Sequence, residues 1–278
     1  MNFHSKPTTF VSRVTIKVTD LARSLEFYQK IVGLNVLEQT EGTAHLTADG
    51  KTSMLKLVQP ENPEPKQRRT SGLYHFAILV PERRHLADFV IHLSEHKVPI
   101  GASDHLVSDA IYFNDPDGNG IEVYQDKDPD TWTWQGDQVE MAVDPLDFED
   151  LVKYKTDQGW QGMPEKTVMG HIHLHVSDLR QAEKFYVDGL GFDVVCQFGG
   201  QAIFLSTNGY HHHIAANTWN GVGAPKASEN SAGLHSYQIV YPDEASRDTV
   251  IHRLKDMGSP VEGNVTEDPA GNQIELVV

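Results

Sequence analysis

The chain has 278 residues, with 39 Asp and Glu against 23 Lys and Arg, a formal charge of −16. That balance repels phosphate backbones and anionic bilayers, so neither nucleic acid nor a membrane surface is an expected partner. The apolar and charged shares, 39% and 22%, belong to a folded globular chain, and the single cysteine, Cys196, excludes an internal disulfide.

In chain order, residues 11–18 alternate, with Val14, Ile16 and Val18 on one face, which predicts a half-buried strand. A helix follows, with Leu21, Leu25, Tyr28 and Val32 on one stripe and Gly33 as its stop. Short strands are predicted near 35–39, 43–47 and 53–58. The order then repeats: strand 73–80, a helix carrying Leu86, Phe89, Val90 and Leu93, and strands near 105–113 and 120–125 around a turn at Asp117-Gly118. Residues 126–168 hold eleven acidic and four basic residues together with Trp132, Trp134 and Trp160. Three tryptophans predict a connection that packs on the domains, with a short helix near 146–154; a lid over a ligand is the alternative. The second half reads as strand 171–176, helix 178–189, strands to about 217, strand 234–241, helix 243–257 and strands to 278. No run approaches the 18 apolar residues of a membrane span, and the first residues carry no apolar signal core, so a cytoplasmic location is expected.

The chain is an internal duplication. Val14-Thr15-Ile16-Lys17-Val18-Thr19-Asp20-Leu21 recurs as Ile172-His173-Leu174-His175-Val176-Ser177-Asp178-Leu179, and Asp115-Pro116-Asp117-Gly118-Asn119-Gly120-Ile121-Glu122 recurs as Asp268-Pro269-Ala270-Gly271-Asn272-Gln273-Ile274-Glu275. The result is four β-α-β-β-β modules. With fifteen His and one Cys, any metal site must use imidazole and carboxylate. His171, His173 and His175 share one face of a strand. Of His211, His212 and His213 at most two can share a face. Glu275, between Ile274 and Leu276, is expected on an inner face, where a carboxylate needs a partner or a metal. Two imidazoles and one carboxylate would leave Fe(II) open positions, and Mn(II), Zn(II) or Ni(II) accept the same donors.

These modules, the Gly170-His171 strand start and the two Asp-Pro-x-Gly-Asn-x-Ile-Glu strands resemble the vicinal oxygen chelate superfamily of glyoxalase I, bleomycin and fosfomycin resistance proteins and type I extradiol dioxygenases. The layout with Tyr74-His75-Phe76-Ala77, Ser103-Asp104-His105 and Tyr210-His211-His212-His213 is most similar to the bacterial two-domain proteins of the catechol 2,3-dioxygenase type. The resemblance implies an α+β fold of four βαβββ modules paired into two domains with curved mixed sheets. The N-terminal domain would be 8–127, with a degenerate site, the linker 128–166, and the C-terminal domain 167–278, with the metal. The implied ligands are His171, His235 and Glu275. Ungapped alternation places Ser236 inward instead of His235, so His212 or His213 is the alternative third ligand. His212 and His213 are the implied catalytic residues, His212 as the imidazole beside bound oxygen. The outer His and Tyr expected before the last Glu are absent, their places being Asp256 and Val265. The N-terminal half has His75, Glu122, His105 and Tyr112, but Arg13 stands at its first ligand position. There it would repel a dication and could pair with Glu122 or bind a small anion.

The activity implied is Fe(II)-dependent extradiol cleavage of a catechol- or hydroquinone-like ring with O₂. A metal-dependent glyoxalase-like lyase or isomerase and a non-catalytic resistance-type binding protein are the alternatives. Partners are a small aromatic substrate and O₂, with a homo-oligomer left open.

Overall fold

The computed structural model describes residues 3–278. Module one comprises β1 (Phe10–Lys17), α1 (Leu21–Phe27), β2 (Asn35–Gln39), β3 (Thr43–Thr47) and β4 (Leu55–Val58). Module two comprises β5 (Gly72–Leu79), α2 (Arg83–Glu95), β6 (Gly101–Asp104), β7 (Ser108–Asn114) and β8 (Gly120–Asp126). The connection carries a hairpin, β9 (Trp134–Gln135) and β10 (Gln138–Val139), and a short helix, α3 (Phe148–Leu151). Module three comprises β11 (Val168–His175), α4 (Leu179–Lys184), β12 (Asp193–Phe198), β13 (Ala202–Ser206) and β14 (Ile214–Asn217). Module four comprises β15 (Gly233–Val240), α5 (Glu244–Asp256), β16 (Val261–Glu262), β17 (Val265–Glu267) and β18 (Gln273–Val277). The fold is the expected α+β arrangement of two mixed sheets. No helix among the described residues is long and apolar enough to cross a membrane.

Local chemistry explains the repeated motifs. The aspartates before α1, α4 and α5 are N-caps: Asp20, Asp178 and Asp243 accept from the backbone N–H of Arg23, Gln181 and Ser246. In the Asp-Pro-x-Gly-Asn turns the aspartate is the organising acceptor. Asp268 takes the N–H of Ala270 and Asn272, the Asn272 amide and the Tyr186 hydroxyl, each at 2.9 Å. Asp115 repeats this with Asp117, Asn119 and Tyr28. Asp268→Ala would orphan four buried donors, so it should lower stability by about 3 kcal/mol. Asp268→Asn, which keeps one acceptor oxygen, should cost less; thermal melting of the two variants checks the order.

The pairing of modules departs from the expectation. One eight-stranded sheet runs β16-β17-β18-β15-β1-β4-β3-β2, and the other runs β12-β13-β14-β11-β5-β8-β7-β6. Module one therefore joins module four through β1 and β15, and module two joins module three through β5 and β11. Each sheet is built from both halves of the chain, so the division into 8–127 and 167–278 does not describe the sheets. The four first strands carry the same alternating pattern, so patterning permits either pairing. The helix-facing side chains of both sheets, among them Val14, Ile16, Phe76, Ile78, Ile172, Leu174, Tyr237 and Ile239, form one continuous buried core.

The connection is packed. Trp132 is buried with Phe3, Val139, Val195 and Tyr210, and Trp160 packs on Phe89. Thr156 bonds Asp88 of α2 through backbone N–H and hydroxyl, both at 2.8 Å, and Arg83 bridges Asp109 and Asp150.

Candidate metal centre

The sheet of modules two and three gathers its polar residues on one concave face. Pairing sets His171 beside Ala77, His173 beside His75, and Ala77 beside Glu122. Alternation then turns His75, Glu122 and His171 to the same side, opposite the apolar face. The Nε2 atoms of His75 and His171 lie 3.0 and 3.1 Å from one oxygen of Glu122. One donor atom from each residue lies within 4.8 Å of the others, and all three side chains are buried. Burial pushes the Glu122 carboxyl upward, but the imidazoles of His171 and His75 outweigh it and hold it well below the usual carboxylate range. Burial lowers His171 to about 4, against the pull of Glu122, so its ring is neutral and free to donate a lone pair.

The donor set fits a divalent cation. His75 Nε2 is buried beside the carboxylate yet makes no hydrogen bond. Such an orphaned nitrogen costs about 1–3 kcal/mol, which coordination offsets. Two imidazoles and one carboxylate, with no thiolate, suit a borderline divalent ion and leave positions open.

Around the three donors sit further polar pairs. His105 Nδ1 donates to the Ala142 carbonyl at 2.6 Å, which leaves its Nε2 to accept from the Tyr112 hydroxyl, also at 2.6 Å. The Tyr112 ring lies 5.5 Å from that of His75. The His and Tyr found missing at Asp256 and Val265 are thus supplied by module two, in the same cup as the donors. The His212 ring lies 4.0 Å from that of His171, tilted against it by 47°. A cavity of about 340 Å³ opens beside His75, lined by Tyr74, Ile100, Tyr112 and Phe113.

Of the residues expected at the metal, only His171 lies in this cluster. His235 is exposed on β15, bonded to Ser236 at 3.2 Å. Glu275 on β18 accepts from Ser236 and Gln238 at 2.8 Å each and pairs with Arg13 at 3.3 Å. Both belong to the other sheet, because β15 pairs with β1 rather than with β11, and β18 lies on the far side of β15. The expected trio of His171, His235 and Glu275 is therefore not assembled. His213, expected to be catalytic, donates from Nε2 to the Phe3 carbonyl and meets Ser206 through Nδ1. Those bonds turn it to the N-terminal segment, away from the donors. His212 does stand beside His171, whereas His173 is held by Asn217 at 2.9 Å.

The second cup explains the first. By register, Arg13 occupies the place of His171, Gln238 that of Ala77, Ser236 that of His75, and Glu275 that of Glu122. A tethered guanidinium neutralises the carboxylate there. Arg13 pairs with Glu275, not with Glu122 as the sequence suggested. His75 and Glu122 were visible in the sequence but were set aside with Arg13. The signal that would have found them is completeness: module two holds two donors and the outer His–Tyr pair, and only module three supplies the remaining histidine.

Comparison with known proteins bears on this arrangement. The family described as the glyoxalase/bleomycin resistance protein/dioxygenase superfamily matches residues 11–123 and 168–276. The chain belongs to this superfamily. It is 44% identical over 260 residues to the catechol-2,3-dioxygenase of Bacillus subtilis (strain 168), covering 91% of this chain and 90% of that one. It is 29% identical over 119 residues to biphenyl-2,3-diol 1,2-dioxygenase 3 of Rhodococcus globerulus, covering 40% of this chain and 62% of that one. Among solved structures, glyoxalase I from Zea mays superposes with a TM-score of 0.58 at 16% identity, covering 97% and 92% of the two chains, a likeness of fold. Family and donor set agree on a divalent metal.

Proposed function

We propose that this superfamily member is an extradiol dioxygenase that cleaves a catechol- or hydroquinone-like ring with O₂, using Fe(II) held by His75, Glu122 and His171. The observation that carries the reading is the buried cluster of two imidazoles and one carboxylate, in a chain that shares 44% of its residues with a catechol-2,3-dioxygenase over nearly its whole length. Fe(II) held by His75, Glu122 and His171 would supply Lewis acidity and the electron transfer between an oxygenated ring and O₂.

The remaining work falls to side chains. The cavity beside His75 offers the aromatic rings of Tyr74 and Tyr112 to a flat ring. Burial keeps His212 well below the ordinary imidazole range, with His171 and His211 adding to the effect, so it stands neutral, with a ring-nitrogen lone pair that can accept a hydrogen bond from a ring hydroxyl. Tyr112, whose proton goes to His105 Nε2, keeps a lone pair that can accept from a hydroxyl of the substrate. Burial of the donors excludes bulk water from a reaction that water would divert.

The test is anaerobic removal of metal by a chelator, then reloading with Fe(II) or Zn(II) and measurement of O₂ uptake with catechol and with hydroquinone. Uptake with a coloured ring-opened product from the Fe(II) form alone is expected. No uptake with any metal, together with turnover of a hemithioacetal by the Zn(II) form, would replace this reading with glyoxalase-like chemistry.

A further inference from the structure

Beside the three donors, module two and module three share a buried line of polar groups that coordination does not use. Asp126, at the end of β8, has Oδ1 2.8 Å from His211 Nε2. His211 Nδ1 lies 2.8 Å from His212 Nδ1, and the His212 ring packs, tilted, against that of His171. The Tyr210 hydroxyl reaches the same Asp126 oxygen at 3.3 Å and meets the Tyr124 hydroxyl at 2.6 Å. Tyr124, Tyr210 and His211 are fully buried.

The protons in this line can be placed by counting. A carboxylate only accepts, so Tyr210 and His211 Nε2 both donate to Asp126. Tyr210 has then spent its one proton and accepts from Tyr124. A neutral His211 has one N–H, already given to Asp126, so its Nδ1 is an acceptor. The proton in the Nδ1–Nδ1 contact therefore belongs to His212. That makes His212 the Nδ1–H tautomer, the one free imidazole populates less. Its Nε2, on the other side of the ring from His211, keeps a lone pair and has no hydrogen-bond partner among the described residues.

We propose that Asp126 and His211 are positioning residues that hold His212 as the Nδ1–H tautomer, leaving the Nε2 lone pair open as a hydrogen-bond acceptor in the metal cup. The use of that acceptor on a ring hydroxyl rests on the dioxygenase reading; the tautomer does not. A purely structural network would need the buried groups satisfied but would not need this direction of donation.

The experiment is ¹⁵N spectroscopy of histidine rings in the full chain loaded with Zn(II). The expected spectrum shows a protonated Nδ1 and bare Nε2 for His212, and a protonated Nε2 for His211. In Asp126→Ala the tautomer of His212 should be lost, and kcat in the Fe(II) form should fall about 10- to 100-fold with KM and metal content unchanged. Asp126→Asn, whose amide oxygen can accept the same N–H, should restore both. A protonated His212 Nε2, or two protons on His211, overturns the proposal. So does an Asp126→Ala variant that keeps the tautomer, or one that loses metal, KM and kcat together. If that variant does not fold, the wild-type spectrum and His211→Asn still decide. The expected spectrum in a protein that takes up no O₂ would uphold the tautomer and sink the dioxygenase reading alone.

Discussion

Glu122→Ala is expected to strip the metal, whereas Glu275→Ala is expected to leave it in place. The two glutamates occupy the same position of duplicated strands, so their difference isolates the environment. Glu122 meets the Nε2 atoms of His75 and His171 at 3.0 and 3.1 Å in a buried cup. Losing a residue that merely supports a ligand costs 10- to 100-fold in metal affinity, so removing this carboxylate should exceed about 100-fold. Glu275 faces Arg13, Ser236 and Gln238. Its removal leaves a half-buried guanidinium without a counter-ion, a cost of about 1–2 kcal/mol in stability. Elemental analysis after equilibration with a competing chelator, paired with thermal melting, separates the two. Metal lost from Glu275→Ala and retained by Glu122→Ala would return the centre to the modules first expected to hold it.

Gly170→Ala should be a strongly damaging small substitution. A Cβ at Gly170 would stand 2.0 Å from the Tyr124 hydroxyl and 2.6 Å from two of its ring carbons. The residue lacks a positive φ, so the demand is for space and not for backbone freedom. Tyr124 cannot retreat easily, because it is fully buried and its hydroxyl is tied to Tyr210 at 2.6 Å. Overpacking of this kind costs about 3 kcal/mol at the upper end of its ordinary range. For a chain of this size that corresponds to a melting point lower by roughly 6–12 °C. Adding Tyr124→Phe removes the closest atom and should recover part of the loss. A Gly170→Ala protein that melts with the wild type would refute the close approach.

By itself the sequence determined the four modules, their strands and helices, the α+β class and the residue chemistry of a metal site. These are local: alternation, helical stripes, N-capping aspartates and the Asp115 and Asp268 turns act over a few residues, and the duplication displays each twice. His171 and His212 were legible for the same reason, through the resemblance of their own module. The partner of each module was decided only in the tertiary structure. β1, β5, β11 and β15 present nearly the same apolar face and the same ladder of backbone donors and acceptors, so a strand's own residues do not name its neighbour. The pairing of β5 with β11, and of β1 with β15, is a long-range choice made by the whole packed core and the anchored connection between the halves. That choice turned Glu275 and His235 from expected ligands into neighbours of Arg13 and Ser236. It also turned His75, Glu122, His105 and Tyr112 from an apparent relic into the other half of the site around His171.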